Sequence, residues 1–171
     1  MAITSLHSKP ANTPRFRLCS RVIAGFSLIP DSLITLLARF SIAAIFWRSG
    51  QTKISGLAID LVAGNIHVGW PHLNESALYL FKEEYRLPLI PPELAALIAA
   101  SAEHVLSVLL LIGLATRFSA LGLLIMTLTI EIFVYPDAYP THGVWAVALL
   151  FLMAKGPGRL SIDHWLIRRY G

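Results

Sequence analysis

Two neighbouring titratable residues, Glu103 and His104, interrupt one of the most apolar stretches of the chain, SAEHVLSVLLLIGL from Ser101 to Leu114. Four further ionisable residues interrupt other apolar stretches: Arg39, Arg48, Lys53 and Glu131. A charge inside a membrane span costs roughly 2.5–3.5 kcal/mol on the insertion scale, so such groups usually face the protein interior and are paired. These six residues are therefore the candidates for an intramembrane polar pocket or for pairing between helices.

The signs and positions of these charges predict specific partners. The basic candidates lie on the first apolar segment, whereas the acidic ones lie on the second and third. Depth counted at about 1.5 Å per residue predicts that Arg39 pairs with Glu103, and that Arg48 or Lys53 pairs with Glu131. Such pairs either only fix the packing of the helices or line a pocket that binds a quinone headgroup or relays protons. Both interpretations stay open, and His104 alone is more often a satisfied interior histidine than a ligand.

The composition indicates what must position these residues. Of 171 residues, 56% are hydrophobic and only 14% are charged, against roughly a quarter charged in soluble domains. This balance predicts an integral membrane protein. The net charge of +4 does not indicate nucleic-acid binding, because no basic stripe is interleaved with aromatic residues. The single cysteine, Cys19, excludes an internal disulfide, so any redox electrons must be carried by a cofactor or partner.

Hydropathy predicts an all-α, integral membrane four-helix bundle with spans at about 32–53, 94–116, 118–135 and 140–155. Nine Lys and Arg residues then fall on one side: Lys9, Arg15, Arg17, Arg21, Arg117, Lys155, Arg159, Arg168 and Arg169. Since the side richer in Lys and Arg is normally cytoplasmic, we expect a cytoplasmic basic N-terminal segment at 1–31 and a cytoplasmic tail at 156–171. The residues before the first span are polar and basic, and they predict no cleavable signal peptide.

The connections carry their own predicted elements. The long outer loop, 54–92, contains ESALYLFKEEY, whose apolar residues at helical spacing predict a short amphipathic helix. In the tail, Ser161 is predicted to cap an interfacial helix with Trp165 toward lipid and Arg168 and Arg169 toward headgroups. Four residues on the outer side could be metal ligands, but none shows a ligand spacing, so no metal site is predicted: His67, His72, Asp137 and His142.

From about Leu33 to Asp163 the chain resembles the DoxX family of small four-helix membrane proteins. The motifs are Arg39 followed by IAAIF and SGQTK, Glu103 followed by an apolar run into GLATR, and GPG followed by Ser161-x-Asp163. His104 departs from the family pattern, in which an aliphatic residue is expected beside the glutamate. The resemblance implies the bacterial inner membrane. It links the family to a subunit of a thiosulfate:quinone oxidoreductase, and other members look like partners in oxidative-stress or metal-handling systems.

Three functions are compatible with these features. The first is an accessory subunit, not catalytic on its own, that supports a redox or quinone-linked process through the buried polar pocket, with quinone as the candidate cofactor. The second is a non-catalytic scaffold or assembly factor that docks a protein partner through its outer loop. The third, a small-solute or proton transporter, is disfavoured because four short helices without an inverted repeat offer little for alternating access. The lipid bilayer is a partner in every case.

Overall fold

A computed structural model describes residues 20–21, 23–60 and 64–171. Three basic residues of the predicted cytoplasmic N-terminal segment, Lys9, Arg15 and Arg17, lie outside the described part, and so does Cys19. The chain divides into an N-terminal unit, residues 1–31, and a larger unit, residues 32–171. Within the first unit, a helical turn ends at Ser27, whose hydroxyl donates to the Ala24 carbonyl at 2.7 Å.

The larger unit is mostly helical. Its elements in chain order are α1 (Asp31–Gln51), β1 (Ile54–Asp60), β2 (Asn65–Leu73), α2 (Glu75–Tyr79), α3 (Pro92–Ile112), α4 (Thr116–Phe133), α5 (Tyr139–Lys155) and α6 (Ile162–Tyr170). In the described part of the chain, α1, α3 and α4 are long and apolar enough to cross a membrane. Helix α5 has 17 residues, about 25 Å at 1.5 Å per residue.

One buried cluster holds the four long helices together. It contains Ile42, Ala43 and Phe46 of α1, Leu110 of α3, Ala120, Leu123 and Leu124 of α4, and Leu149 and Leu152 of α5. Small residues among them let the helices approach closely, and such close packing drives helix association in lipid, where no hydrophobic force acts between helices. The opposite faces of these helices expose large apolar side chains such as Leu97, Val108 and Ile125.

Local signals explain where α3 and α4 meet. Pro92 begins α3, where a missing N–H is harmless, and Gly113 ends it in the left-handed conformation with φ 70°. The end therefore falls four residues before the predicted Thr116, which instead begins α4. At Gly113 a Cβ atom would lie 2.5 Å from Ser161 Cβ and 2.8 Å from Arg39 Nη1. Only glycine therefore permits this close contact.

The prediction of an all-α fold is wrong between Ile54 and Leu73, where the chain forms an antiparallel hairpin of β1 and β2. Leu57 lies opposite Val68 and Ile59 lies opposite Ile66. The hairpin is tied back to α1. The Trp47 indole N–H donates to the Ile59 carbonyl at 3.2 Å, and the Gln51 side-chain oxygen accepts from the Ile59 N–H at 2.8 Å.

The predicted amphipathic helix is present and begins after Asn74, whose side chain accepts from the Ala77 N–H at 2.7 Å. It continues beyond α2 as a π-helical turn, Leu80–Tyr85. Phe81 is buried against Ala95 and Ala96 of α3, so the element lies across the first turns of that helix. At the other end of the chain, Ser161 caps α6 as predicted by accepting from the His164 N–H at 3.1 Å.

Candidate functional site

The Glu103 carboxylate forms a buried ion pair with Lys53. Lys53 Nζ lies 2.8 Å from Glu103 Oε2 and 3.0 Å from Oε1, and the two side chains are 8% and 2% exposed. The Ser49 hydroxyl accepts from Lys53 at 3.0 Å and donates to Glu103 Oε1 at 2.9 Å. Lys53 follows the end of α1, whereas Glu103 lies near the middle of α3. We call these three residues the Glu103 cluster.

His104 connects α3, α1 and the hairpin. One ring nitrogen, Nδ1, lies 2.7 Å from the Ala100 carbonyl, which can only accept, so Nδ1 carries a proton. Because the Gln51 oxygen accepts from Ile59, the Gln51 amide nitrogen donates to His104 Nε2 at 2.9 Å. These bonds assign the neutral Nδ1–H tautomer. The ring also packs edge-on against Trp47 at 5.0 Å, so His104 is a satisfied interior histidine.

Gly50 makes this contact between α1 and α3 feasible. A Cβ atom at Gly50 would lie 2.7 Å from His104 Cε1, 2.8 Å from His104 Nδ1 and 3.2 Å from Glu103 Cβ. The glycine of the SGQTK motif therefore provides the space that the two titratable side chains of α3 occupy.

The predicted pairing of Arg39 with Glu103 is wrong, because the Arg39 guanidinium binds backbone carbonyls instead. Its Nε donates to Leu110 at 3.0 Å and its Nη2 to Leu111 at 2.9 Å. Its Nη1 donates to Pro157 at 2.7 Å and to Leu160 at 2.8 Å. Arg39 is 2% exposed, and it neutralises the negative end of the α3 dipole. It therefore joins α1, the end of α3 and the segment after α5.

Asp163 completes this junction, which we call the Arg39 node. Its carboxylate accepts from the N–H groups of Ala115 and Thr116, at 2.8 and 2.9 Å, and so caps the start of α4. Its own N–H donates to the Gly113 carbonyl at 2.9 Å. Sequence reasoning did not identify this role, although the Ser-x-Asp motif was the available signal. The motifs GLATR and GPG-x-x-Ser-x-Asp thus form one structural unit around Arg39.

Glu131 also has a different partner from the one predicted. His142 Nδ1 lies 2.6 Å from Glu131 Oε2, which links α4 to the start of α5. The His142 ring packs at a tilt against Trp145, with a centroid distance of 5.0 Å. Arg48 is exposed. The six predicted site residues therefore lie in separate groups, with Lys53, Glu103 and His104 together and Arg39 and Glu131 elsewhere.

Sequence reasoning missed a group of tyrosines between the surface and the Glu103 cluster. The Tyr135 hydroxyl donates to the Glu84 carboxylate, and its ring meets Tyr85 edge-on at 5.8 Å. The hydrogen bond to Glu84 raises the pKa of Tyr135 well above its usual range. Burial raises the pKa of Tyr85, and the negative charges of Glu103 and Glu84 add to the effect. Both phenols therefore stay protonated at neutral pH.

The packing of Tyr85 places it on the same face of α3 as Glu103. Its ring joins the cluster formed by Phe81, Ala95 and Ala96, and α-helical spacing aligns Ala96, Ala99 and Glu103 along one stripe. We call Glu84, Tyr135, Tyr85 and Glu103 the polar series: Tyr135 contacts both Glu84 and Tyr85, and the charge of the buried Glu103 carboxylate acts on Tyr85. No group of three or more potential metal ligands comes together among the residues described here.

Comparisons with known proteins agree with the motifs. An uncharacterized protein of Haemophilus influenzae is 27% identical over 150 residues, which cover 83% of this chain and 89% of that protein. No solved structure matches the chain. The DoxX family pattern matches residues 34–136, from α1 to the turn that follows α4. With its three apolar helices of spanning length, the chain is a membrane protein and belongs to the DoxX family.

Proposed function

We propose that this protein is an accessory subunit of the bacterial inner membrane that supports a redox or quinone-linked process without catalysing it alone. The observation that carries the proposal is the polar series from Glu84 through Tyr135 and Tyr85 to the Glu103 cluster. Titratable groups in membrane helices are costly, and they often mark proton or substrate paths. A buried carboxylate whose charge acts on a half-buried, protonated phenol is suited to hold or pass protons near a quinone headgroup.

The donors in this region set limits on the chemistry. A quinone headgroup carries two carbonyl oxygens that accept hydrogen bonds, and the half-buried Tyr85 phenol can donate one. Lys53 already uses its N–H groups on Ser49 and Glu103. Tyr85 is therefore the candidate donor, and Glu103 is the candidate proton acceptor.

The proposed topology has four spans with both termini in the cytoplasm. Arg117, in the turn between α3 and α4, lies beside Gly156 after α5, where a Cβ atom would be 3.2 Å from Arg117 Nη2. The same end carries Arg159, Arg168 and Arg169 in the segment that holds α6. A basic end of this kind is normally cytoplasmic, which leaves the hairpin and α2 on the periplasmic side.

Mass spectrometry of the gently solubilised protein tests the redox proposal. We expect co-purified quinone that is lost in Glu103→Gln while the helical circular dichroism and monodispersity are kept. Glu93→Gln is the matched control, since it makes the same chemical change at an exposed position of the same helix. Protein that carries no quinone, yet restores the cellular activity that is lost when its gene is deleted, would contradict the proposal.

A second candidate function is a membrane scaffold, and one observation favours it. The Glu103 cluster, the Arg39 node and the Glu131–His142 pair all satisfy their charges within the chain, so they can act purely as structural joints. Exposed Glu75, Lys82 and Glu83 on and after α2 would then contact a protein partner. Lys82→Glu with Glu83→Lys should release that partner, whereas Glu103→Gln should matter only through stability.

A further inference from the structure

The second strand of the hairpin exposes an apolar face. Ile66 and Val68 alternate along β2, so their side chains share one side of the strand, and they are 65% and 77% exposed. Trp70, which is 88% exposed, follows where the pairing with β1 shifts register. Cross-strand neighbours extend this side, because Leu57 lies opposite Val68 and Ile59 lies opposite Ile66. We call this set the hairpin apolar face. An exposed cluster of this kind marks a surface that contacts something other than water.

The other side of the hairpin has a different character. Ala58 lies opposite His67, and Asp60 lies opposite Asn65. All four of these residues are exposed, and the sheet is therefore amphipathic. An antiparallel sheet with one apolar side and one polar side normally has water on only one of them.

The contacts of Ile59 place the hairpin beside the membrane-spanning helices. Although β1 starts after α1 has ended, Ile59 is hydrogen-bonded to Trp47 and Gln51 in the last turns of α1. The strand therefore runs alongside the helix end and does not project away from it.

The first half of α3 lies beside the hairpin, because Leu73 at the end of β2 packs against the cluster of Phe81, Ala95 and Ala96. It exposes Leu94, Leu97 and Ile98, at 48%, 52% and 51%, as expected of a helix surface that meets lipid. Strand β2 contacts α3 directly. The hairpin thus lies next to a helix that exposes large apolar side chains.

We infer that the hairpin apolar face inserts into the interfacial layer of the lipid bilayer. Tryptophan favours this layer, where its ring meets both headgroups and acyl chains. The free edges of a two-stranded sheet cannot be satisfied in hydrocarbon, so the hairpin lies at the headgroup boundary and not in the bilayer core. The inference concerns how the chain sits in its membrane, and it does not depend on the proposed redox function.

Site-directed fluorescence in lipid vesicles tests this assignment on the full chain. Cys19→Ser removes the single cysteine, and an environment-sensitive fluorophore is then attached at Val68→Cys, with His67→Cys on the polar side as the matched control. Vesicles of phosphatidylethanolamine and phosphatidylglycerol contain a lipid spin-labelled either near its headgroup or near its chain end. Iodide serves as the aqueous quencher.

We expect the fluorophore at Val68→Cys to be blue-shifted and quenched most strongly by the shallow spin label, while the one at His67→Cys is quenched by iodide. Ile66→Cys repeats the test at a second position of the same face, in case labelling at Val68 disturbs the hairpin. Quenching of both faces by iodide would overturn the inference. Protection of Val68→Cys from both iodide and lipid quenchers would also overturn it, since a protein would then cover the face.

Discussion

Replacement of Gly50 by alanine tests whether close packing of α1 on α3 is essential to the fold. The added Cβ would lie 2.7 and 2.8 Å from two His104 ring atoms and 3.2 Å from Glu103 Cβ. The imidazole cannot simply rotate aside, because Ala100 and Gln51 bind its two nitrogens. We therefore expect Gly50→Ala to displace His104 and to weaken the connection between the two helices.

The expected magnitude follows from two opposing effects. Helix propensity favours alanine over glycine by about 1 kcal/mol, whereas overpacking a well-packed interior costs about 1–3 kcal/mol. Gly143→Ala provides the matched control, because Gly143 is also helical and an added Cβ would meet Tyr139 only at 3.5 Å, an ordinary contact. The propensity gain applies to both variants, so their free energies of unfolding should differ by about 1–3 kcal/mol.

Reversible unfolding by sodium dodecyl sulfate in mixed micelles, followed by helical circular dichroism, measures this difference. A double-mutant cycle with His104→Ala adds a specific readout, because removing the ring should relieve most of the cost of Gly50→Ala. A coupling of about 0.5–3 kcal/mol is typical for residues in contact. If Gly50→Ala and Gly143→Ala are equally stable, or if the effect of Gly50→Ala is unchanged without the His104 ring, the packing argument is refuted.

Two further predictions concern Arg39, at one end of the helix bundle, and Tyr135, at the other. Arg39→Lys should lose at least one of the four carbonyl bonds, because an ammonium cannot reproduce the guanidinium fork, and should lower the free energy of unfolding by about 1.5–3 kcal/mol; exposed Arg48→Lys is the control, and equal effects would contradict this role. The raised pKa of Tyr135 means that the folded state holds this proton more tightly, so its stabilisation is complete below about pH 10 and is lost as pH rises through the folded-state pKa. The free energy of unfolding, measured at increasing alkaline pH, should therefore fall more steeply for the wild type than for Tyr135→Phe. Parallel curves would count against the hydrogen bond between Tyr135 and Glu84.

Hydropathy predicted the apolar helices because a helix that crosses lipid requires apolar residue types, but it could not predict the hairpin. Gly56, Gly64, Gly69 and Pro71 interrupt the strand signal, and the hydrogen bonds that tie Ile59 to α1 involve its backbone, which is the same in every residue. The alternation of Ile66, Val68 and Trp70 was the one available indication.

The pairing errors have a similar cause. Arg39 binds four main-chain carbonyls, which no residue pattern reveals, and this left Glu103 for Lys53. The depth estimate placed the end of α1 at the membrane surface. The Lys53 side chain instead turns back past Ser49 and reaches Glu103 in the middle of α3. Glu131 is paired with His142, which the sequence had suggested only as a potential metal ligand on the outer side. The helices and their approximate bounds were therefore predictable from the sequence. The side-chain partners were not, because they depend on how far neighbouring helices are staggered.

The Arg39 node has a consequence for the order in which the chain is made. Arg39 enters the membrane with the first long helix, yet two of its carbonyl partners are synthesised 118 and 121 residues later. The other two become available when α3 is complete. During synthesis this cation therefore first anchors a pair of helices, and it joins the distal segment only after α5 has been inserted, so a chain truncated at Lys155 would carry a buried cation with half of its acceptors missing.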